Sequence, residues 1–156
     1  MSRRTKTQIV EDKKNQHNKK VNVLKKLNGH LNSISAMNDE ETQRIYVFMN
    51  LFVKCELVYK TLYPEMVKIK DNEDCDVRKL NFNVQKFEAA LRFFGISYNH
   101  EQMKMIFGAK KSYLVLRDKI MHGLNKDSID TILQNYEIMV RSMSSFLENV
   151  AKGLLV

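Results

Sequence analysis

The chain has 156 residues, 44% of them hydrophobic, with one proline, five glycines and two cysteines. This length suits one compact domain with a hydrophobic core, and the scarcity of glycine and proline favours helices, so we expect an all-α fold. Cys55 and Cys75 lack CxxC spacing and Cys or His partners at zinc-ligand distances. Neither a disulfide framework nor a structural zinc site is therefore indicated, and a reducing, cytoplasmic setting fits best. No signal-peptide core and no membrane-spanning run are recognisable, so no membrane association is expected.

The excess positive charge lies in a basic N-terminal arm, residues 1–37. Of the formal net charge of +8, residues 1–30 account for +7, because they hold nine Lys or Arg side chains and two acidic ones. Such an arm can neutralise the phosphates of a nucleic acid, with an affinity that falls as salt rises. A solvated tail that aids solubility explains the same charge equally well.

The second half of the arm also has an apolar pattern. Apolar residues recur there at helical spacing: Val21, Leu24, Leu27, Leu31 and Ile34. This pattern predicts a short amphipathic helix that docks on the body of the protein or on a second subunit.

Residues 38–156 predict a helical bundle of four, and at most five, helices. The first helix is expected to begin in the acidic run at residues 39–41 and to end at Pro64. The second, over roughly residues 82–95, is expected to stop at Gly95. The connection between them contains the acidic run DNEDCD, residues 71–76, which lacks the glycine and glutamate of a calcium-binding loop and predicts a solvated loop instead of a metal site.

Two longer helices complete the predicted bundle. The third is expected to run unbroken from about Asn99 to His122, and the fourth to begin with Asp127 as its N-cap and to continue to about residue 150. Because only a few residues separate them, these two helices should lie antiparallel.

The stretch LRDKIMHGL, residues 116–124, carries the clearest chemistry. Arg117 is predicted to project toward the apolar side of the third helix, where an always-charged guanidinium needs a partner such as Glu56 on the first helix. His122 is expected at the C-terminal end of its helix, which Gly123 should terminate. The helix dipole and Asp118, four residues earlier, both favour the charged imidazole, which suits a general acid or base.

RNA cleavage without a metal needs a base for the 2′-OH proton, an acid for the leaving 5′ oxygen and a cation for the charge at phosphorus. One Arg117 and one His122 supply only part of this set. Two copies related by a two-fold axis supply two of each. The chemistry therefore predicts a homodimer in which the LRDKIMHGL segments face one another, with no metal and no other cofactor.

The residues from Arg117 to His122, RDKIMH, resemble the R-x4-6-H signature of the HEPN superfamily (higher eukaryotes and prokaryotes nucleotide-binding), in which a polar residue often follows the arginine. Members of this family are typically small helical bundles that dimerise and act as metal-independent endoribonucleases in toxin–antitoxin, abortive-infection and CRISPR-linked defence. The resemblance implies that Arg117 and His122 are the catalytic pair. From the spacing of the residues themselves, Asp118 is expected to orient the histidine and Glu56 to support the arginine. The resemblance also implies RNA as substrate and an antitoxin or defence protein as a further partner.

Basic residues are predicted to hold the RNA backbone. They are Lys110, Lys111, Lys119 and Lys126 in the body and Arg3, Arg4, Lys13, Lys14, Lys19 and Lys20 in the arm. The alternative to an enzyme is a non-catalytic HEPN-like module that uses the same cleft to bind RNA, a nucleotide or a partner protein. A third hypothesis is a structural helical adaptor, which needs no cleft. His17, His30 and His100 are expected to be solvated or helix-capping.

Overall fold

The structure is a computed structural model that describes residues 5–35, 37–123 and 125–154. The chain forms two compact units, Met1–Asn38 and Asp39–Val156. The first contains helix α1, Lys6–Ser35. The second contains α2 (Asp39–Asp71), a short 3₁₀ helix (Val77–Lys79), α3 (Val84–Phe93), α4 (His100–Phe107), α5 (Tyr113–Gly123), α6 (Lys126–Gln134) and α7 (Tyr136–Leu154). The described residues contain no strand, which confirms the all-α prediction, but they form seven α-helices instead of four or five.

Helix α1 extends through most of the arm and not through its second half alone. It begins with a capping box: the Gln8 N–H donates to Thr5 Oγ1 (3.3 Å), and the Thr5 N–H donates to Gln8 Oε1 (2.9 Å). The lysine-rich sequence that follows has good helix propensity. Among the side chains of α1 that the structure describes, Val21 is half-buried and the rest are exposed, including the apolar Leu24 and Leu27.

Helix α2 continues for about two turns beyond Pro64, so the predicted end at this proline is wrong. A proline inside a helix removes one backbone hydrogen bond. Buried side chains on both sides, Tyr59 before the proline and Met66 after it, keep the helix packed against the core. The helix ends instead where Asn72 adopts a left-handed conformation, φ 54°, which asparagine tolerates better than most residues.

The third predicted helix is two helices, α4 and α5, because the GAKKS sequence interrupts it. Gly108 ends α4 in an extended conformation, and a Cβ atom on this residue would collide with the carbonyl oxygen of Lys104. Ser112 then caps α5: its Oγ accepts a hydrogen bond from the Val115 N–H at 3.3 Å and donates to the Gly108 carbonyl oxygen. Glycine followed by a capping serine was the signal in the sequence for this break.

The fourth predicted helix is also two, α6 and α7. The N-cap of α6 is Asn125, whose Oδ1 accepts from the Ser128 N–H at 3.0 Å, so Asp127 lies in the first turn and is not the cap. Asn135 separates the two helices, and its side-chain amide donates to the carbonyl oxygen of Thr131 at 2.8 Å. An asparagine that bonds to nearby backbone in this way competes with a continuous helix.

Gly95 ends α3 as predicted. It adopts φ 72°, which is favourable only for glycine among common residues, and the Ile96 N–H donates to the Leu91 carbonyl oxygen at 2.9 Å to close the helix end.

Helix α2 is central to the second unit and packs against α3, α5, α6 and α7. Aromatic side chains from α2, α3, α4 and α7 form a cluster in the core. Its ring pairs include Phe87 with Phe107 (4.9 Å between centroids), Tyr59 with Phe87 (5.0 Å) and Phe52 with Phe107 (5.9 Å). Phe52 is fully buried and forms the floor beneath the candidate site. In the part of the chain that the structure describes, none of the helices has both the length and the apolar character needed to cross a bilayer.

Candidate functional site

The candidate site begins with Arg117 in the middle of α5. Tyr113, one turn earlier, and Ile120, one turn later, are buried on the same side of this helix. Arg117 therefore points inward with them, and its side chain is only 18% exposed. The inward orientation expected from the sequence is present, although it comes from α5 alone and not from one helix that includes α4.

Two residues of α2, Phe52 and Glu56, contact the guanidinium, and Lys60 contacts Glu56. Phe52, Glu56 and Lys60 are spaced four residues apart and so share one face of α2. The Arg117 Cζ lies 4.8 Å from the centroid of the Phe52 ring, in cation–π geometry. Glu56 Oε2 lies 3.5 Å from Arg117 Nη1, while Glu56 Oε1 lies 2.7 Å from Lys60 Nζ. The pairing of Arg117 with Glu56 that the sequence suggested is therefore formed, on a carboxylate that is 14% exposed.

Asp118 completes the charged cluster from the same helix as Arg117. Its Oδ1 lies 3.0 Å from Arg117 Nε, which makes an ion pair by distance. Nε is nevertheless buried without a hydrogen-bond acceptor among the described residues, because its N–H does not point at that oxygen. The guanidinium is thus compensated in charge by Glu56 and Asp118 but is left without a directed hydrogen bond along its Nε edge.

His122 lies one residue before Gly123, the last residue of α5. The imidazole is exposed and makes no hydrogen bond or ion pair with another described residue. Asp118, one turn earlier on the same face, directs Oδ1 at Arg117 instead. The proposed role of Asp118 in orienting His122 therefore stays a prediction.

The geometry of α5 also separates Arg117 from His122. Five residues apart on an α-helix, the two side chains leave the axis about 140° apart and about 7.5 Å apart along it. Arg117 points toward α2 and His122 toward solvent. Within one chain the structure brings together Arg117, Glu56 and Asp118, and it leaves His122 outside this group.

The predicted RNA-binding lysines are spread over several elements and all are exposed. Lys119 is on α5 and Lys126 begins α6; Lys110 and Lys111 lie in the turn between α4 and α5; Lys13, Lys14, Lys19 and Lys20 lie on α1. Arg3, Arg4 and the side chain of His30 lie outside the described residues.

One pair of ionisable residues was not expected from the sequence. His100, the first residue of α4, places Nδ1 2.8 Å and 2.9 Å from the two carboxylate oxygens of Glu88 on α3. Glu88 is buried, whereas the His100 side chain is 58% exposed. An acidic residue between the core residues Phe87 and Leu91 was the only signal for this contact, and it does not identify a partner. The described residues contain no group of three His, Cys, Asp or Glu side chains arranged for a metal ion.

Comparison of the chain with protein-family models, with curated proteins and with solved structures finds no match. The HEPN resemblance therefore depends on the residues of this chain alone, above all on Arg117 and His122.

Proposed function

We propose that this protein is a cytoplasmic, HEPN-like, metal-independent endoribonuclease that cleaves RNA at a site formed by two copies of α5, in antiviral defence or a toxin–antitoxin system. One observation carries the proposal. Arg117 is held in place between Phe52 and Glu56, while His122 at the end of the same helix is exposed and has no partner among the described residues. A fixed cation and an accessible imidazole are the two groups that the reaction needs from each chain.

In the proposed reaction the RNA supplies its own nucleophile. His122 of one copy accepts the proton of the 2′-OH, the 2′ oxygen bonds to phosphorus, and the bond from phosphorus to the 5′ oxygen breaks. His122 of the second copy donates the proton that the leaving 5′ oxygen takes up. The products are a 2′,3′-cyclic phosphate and a 5′-hydroxyl. Arg117 stabilises the charge on the non-bridging oxygens, and Glu56 and Asp118 hold the guanidinium in position.

The dimer in this proposal follows from what one chain lacks. A single α5 provides one imidazole for two proton transfers, and it presents Arg117 and His122 in different directions. Exposed apolar side chains occur on the two helices of the site: Val53 and Leu57 near Glu56 on α2, and Met121 beside His122 on α5, with Leu57 62% and Met121 65% exposed. Covering such side chains in a symmetric interface stabilises a dimer, at about 25 cal/mol for each Å² of apolar surface.

A non-catalytic module that binds RNA, a nucleotide or a partner protein is the second candidate. The charges in the cluster favour it, because Lys60, Glu56, Arg117 and Asp118 together are neutral. A guanidinium that is already compensated is typical of a structural network as well as of a phosphate site. If the protein is such a non-catalytic module, it binds RNA with a salt-dependent affinity and leaves the RNA intact.

Incubation of end-labelled RNA with the purified protein in excess EDTA separates the two candidates. The enzyme is expected to cut the RNA and to leave 2′,3′-cyclic phosphate ends, and a single 2′-deoxy nucleotide placed 5′ to the scissile phosphate should block cleavage there. Sedimentation of the same sample should show a dimer. RNA that is retarded on a native gel but remains uncut supports the module and contradicts the enzyme.

A further inference from the structure

A groove separate from the Arg117 cluster lies between α4 and α7. It is open to solvent, has a volume of about 730 Å³, and has polar or charged side chains at every described lining position except Met105. Its three basic residues are Lys104 on α4 and Lys110 and Lys111 in the following turn. Among the described residues that line the groove Glu101 alone is acidic, so these residues carry a net charge of +2.

The turn that presents two of these lysines has an unusual backbone. Lys111 adopts φ 51°, the left-handed region that a lysine rarely occupies. The turn is anchored on both sides, by Gly108, which tolerates the close approach of the Lys104 carbonyl group, and by the fully buried Ser112. A disfavoured conformation kept by such anchors is typical of a residue whose position matters for binding.

Lys104, Lys110 and Lys111 form one wall of the groove, and the α7 wall opposite them supplies neutral polar groups. Ser145 and Asn149, four residues apart on α7, share the face that lines the groove, and Asn99 lies at its α4 end. Hydroxyl and amide groups can donate to phosphate oxygens and can also accept from a ribose 2′-OH. Met105 adds one apolar surface on which a base can rest. Ammonium groups along one wall and neutral hydrogen-bonding groups along the other suit a sugar–phosphate backbone.

We propose that the groove between α4 and α7 binds the phosphodiester backbone of a single-stranded nucleic acid, with Lys104, Lys110 and Lys111 on the phosphates and Asn149 on the sugar edge. The choice of RNA as the physiological strand rests on the proposed function. The recognition of the phosphodiester backbone rests on the groove alone.

The test measures binding by the full-length chain with a fluorescent single-stranded 12-mer whose 2′-O-methyl groups prevent cleavage. The groove variant Lys104→Gln/Lys110→Gln/Lys111→Gln is compared with a matched control, Lys54→Gln/Lys68→Gln/Lys70→Gln, which removes three exposed lysines from α2. Helix α1 is unchanged in both variants, so its contribution to binding cancels.

A plot of log affinity against log salt concentration has a negative slope, to which each phosphate contact of a single strand contributes about 0.7. Loss of three contacts should therefore make this slope shallower by about two. We expect the groove variant to bind at least about tenfold more weakly at moderate salt and the control to bind like wild type. A DNA 12-mer should lose a similar factor, because the phosphates are shared. Equal losses in the two variants, or no loss in the groove variant, overturn the proposal.

A second variant, Lys111→Gly, relieves the left-handed backbone conformation and removes one ammonium group. It should raise the melting temperature and weaken RNA binding together. A higher melting temperature with unchanged affinity contradicts a binding role for Lys111. The two proposals fail separately: His122→Ala should abolish cleavage and leave binding to the 12-mer intact, whereas the groove variant should lose that binding whether or not the wild type cleaves RNA.

Discussion

The ion pair between Arg117 and Glu56 should be measurable as a coupling free energy. The perturbations are Arg117→Met, which removes the charge but keeps an apolar stem on the Phe52 ring, Glu56→Gln, which keeps the shape of the side chain, and the double variant. At 3.5 Å and an effective dielectric constant of about 20, the direct attraction is about 5 kcal/mol. Desolvation of two side chains that are 18% and 14% exposed offsets most of this attraction.

We therefore expect a coupling free energy of about 1–2 kcal/mol, read from urea unfolding of the four proteins by circular dichroism. Glu56→Gln alone should cost more than Arg117→Met, because it leaves the buried guanidinium with Asp118 as its remaining partner. The more exposed contact of Lys60 with the same carboxylate is the internal control and should couple by about 1 kcal/mol or less. Coupling below about 0.5 kcal/mol between Arg117 and Glu56 refutes the view that Glu56 holds the guanidinium.

Three further predictions concern the two cysteines and Pro64. In the folded protein Cys75 should react with a thiol reagent while Cys55 does not, because burial raises the pKa of the Cys55 thiol to about 12, and equal reaction rates contradict this placement. Above pH 9 the native state keeps the Cys55 proton while the unfolded state loses it, because the pKa is raised only in the folded protein. The free energy of unfolding should therefore fall between pH 9 and pH 12 by up to about 1.4 kcal/mol per pH unit. Urea titrations of Cys55→Ala should show a shallower fall with pH, and an identical slope in the two proteins contradicts the raised pKa. Pro64→Ala should raise the melting temperature, because α2 continues through this position and regains a backbone hydrogen bond, whereas a lower value contradicts an unbroken helix.

The sequence predicted the helical class because that class depends on composition and local propensity. It also predicted the end of α3 at Gly95, where the left-handed conformation is a local requirement. It missed the breaks in the third and fourth helices, because hydrophobic periodicity continues across a short turn when both helices pack on the same core. Ser112 and Asn135 bear the local signals for these breaks, through hydrogen bonds to nearby backbone groups.

The candidate site was predictable in part. Arg117 on an apolar face required a partner, and Glu56 on a neighbouring helix is that partner. The ring of Phe52 beneath the guanidinium and the pair of His100 with Glu88 depend on how separate helices pack, and one sequence does not determine this. The groove between α4 and α7 was unpredictable for the same reason, although Lys110 and Lys111 were already expected to bind RNA.

The proposed ribonuclease depends most directly on one histidine. The decisive measurement is the rate of RNA cleavage in excess EDTA by the wild type, by His122→Ala and by His17→Ala, which removes another exposed imidazole, on α1. Because the His122 side chain makes no hydrogen bond or ion pair with another described residue, its loss should leave the urea unfolding midpoint unchanged. We predict that the wild type and His17→Ala cleave at similar rates and that His122→Ala loses at least about 100-fold in rate. Equal cleavage by all three proteins, or cleavage by none of them, contradicts the proposed catalytic role of His122.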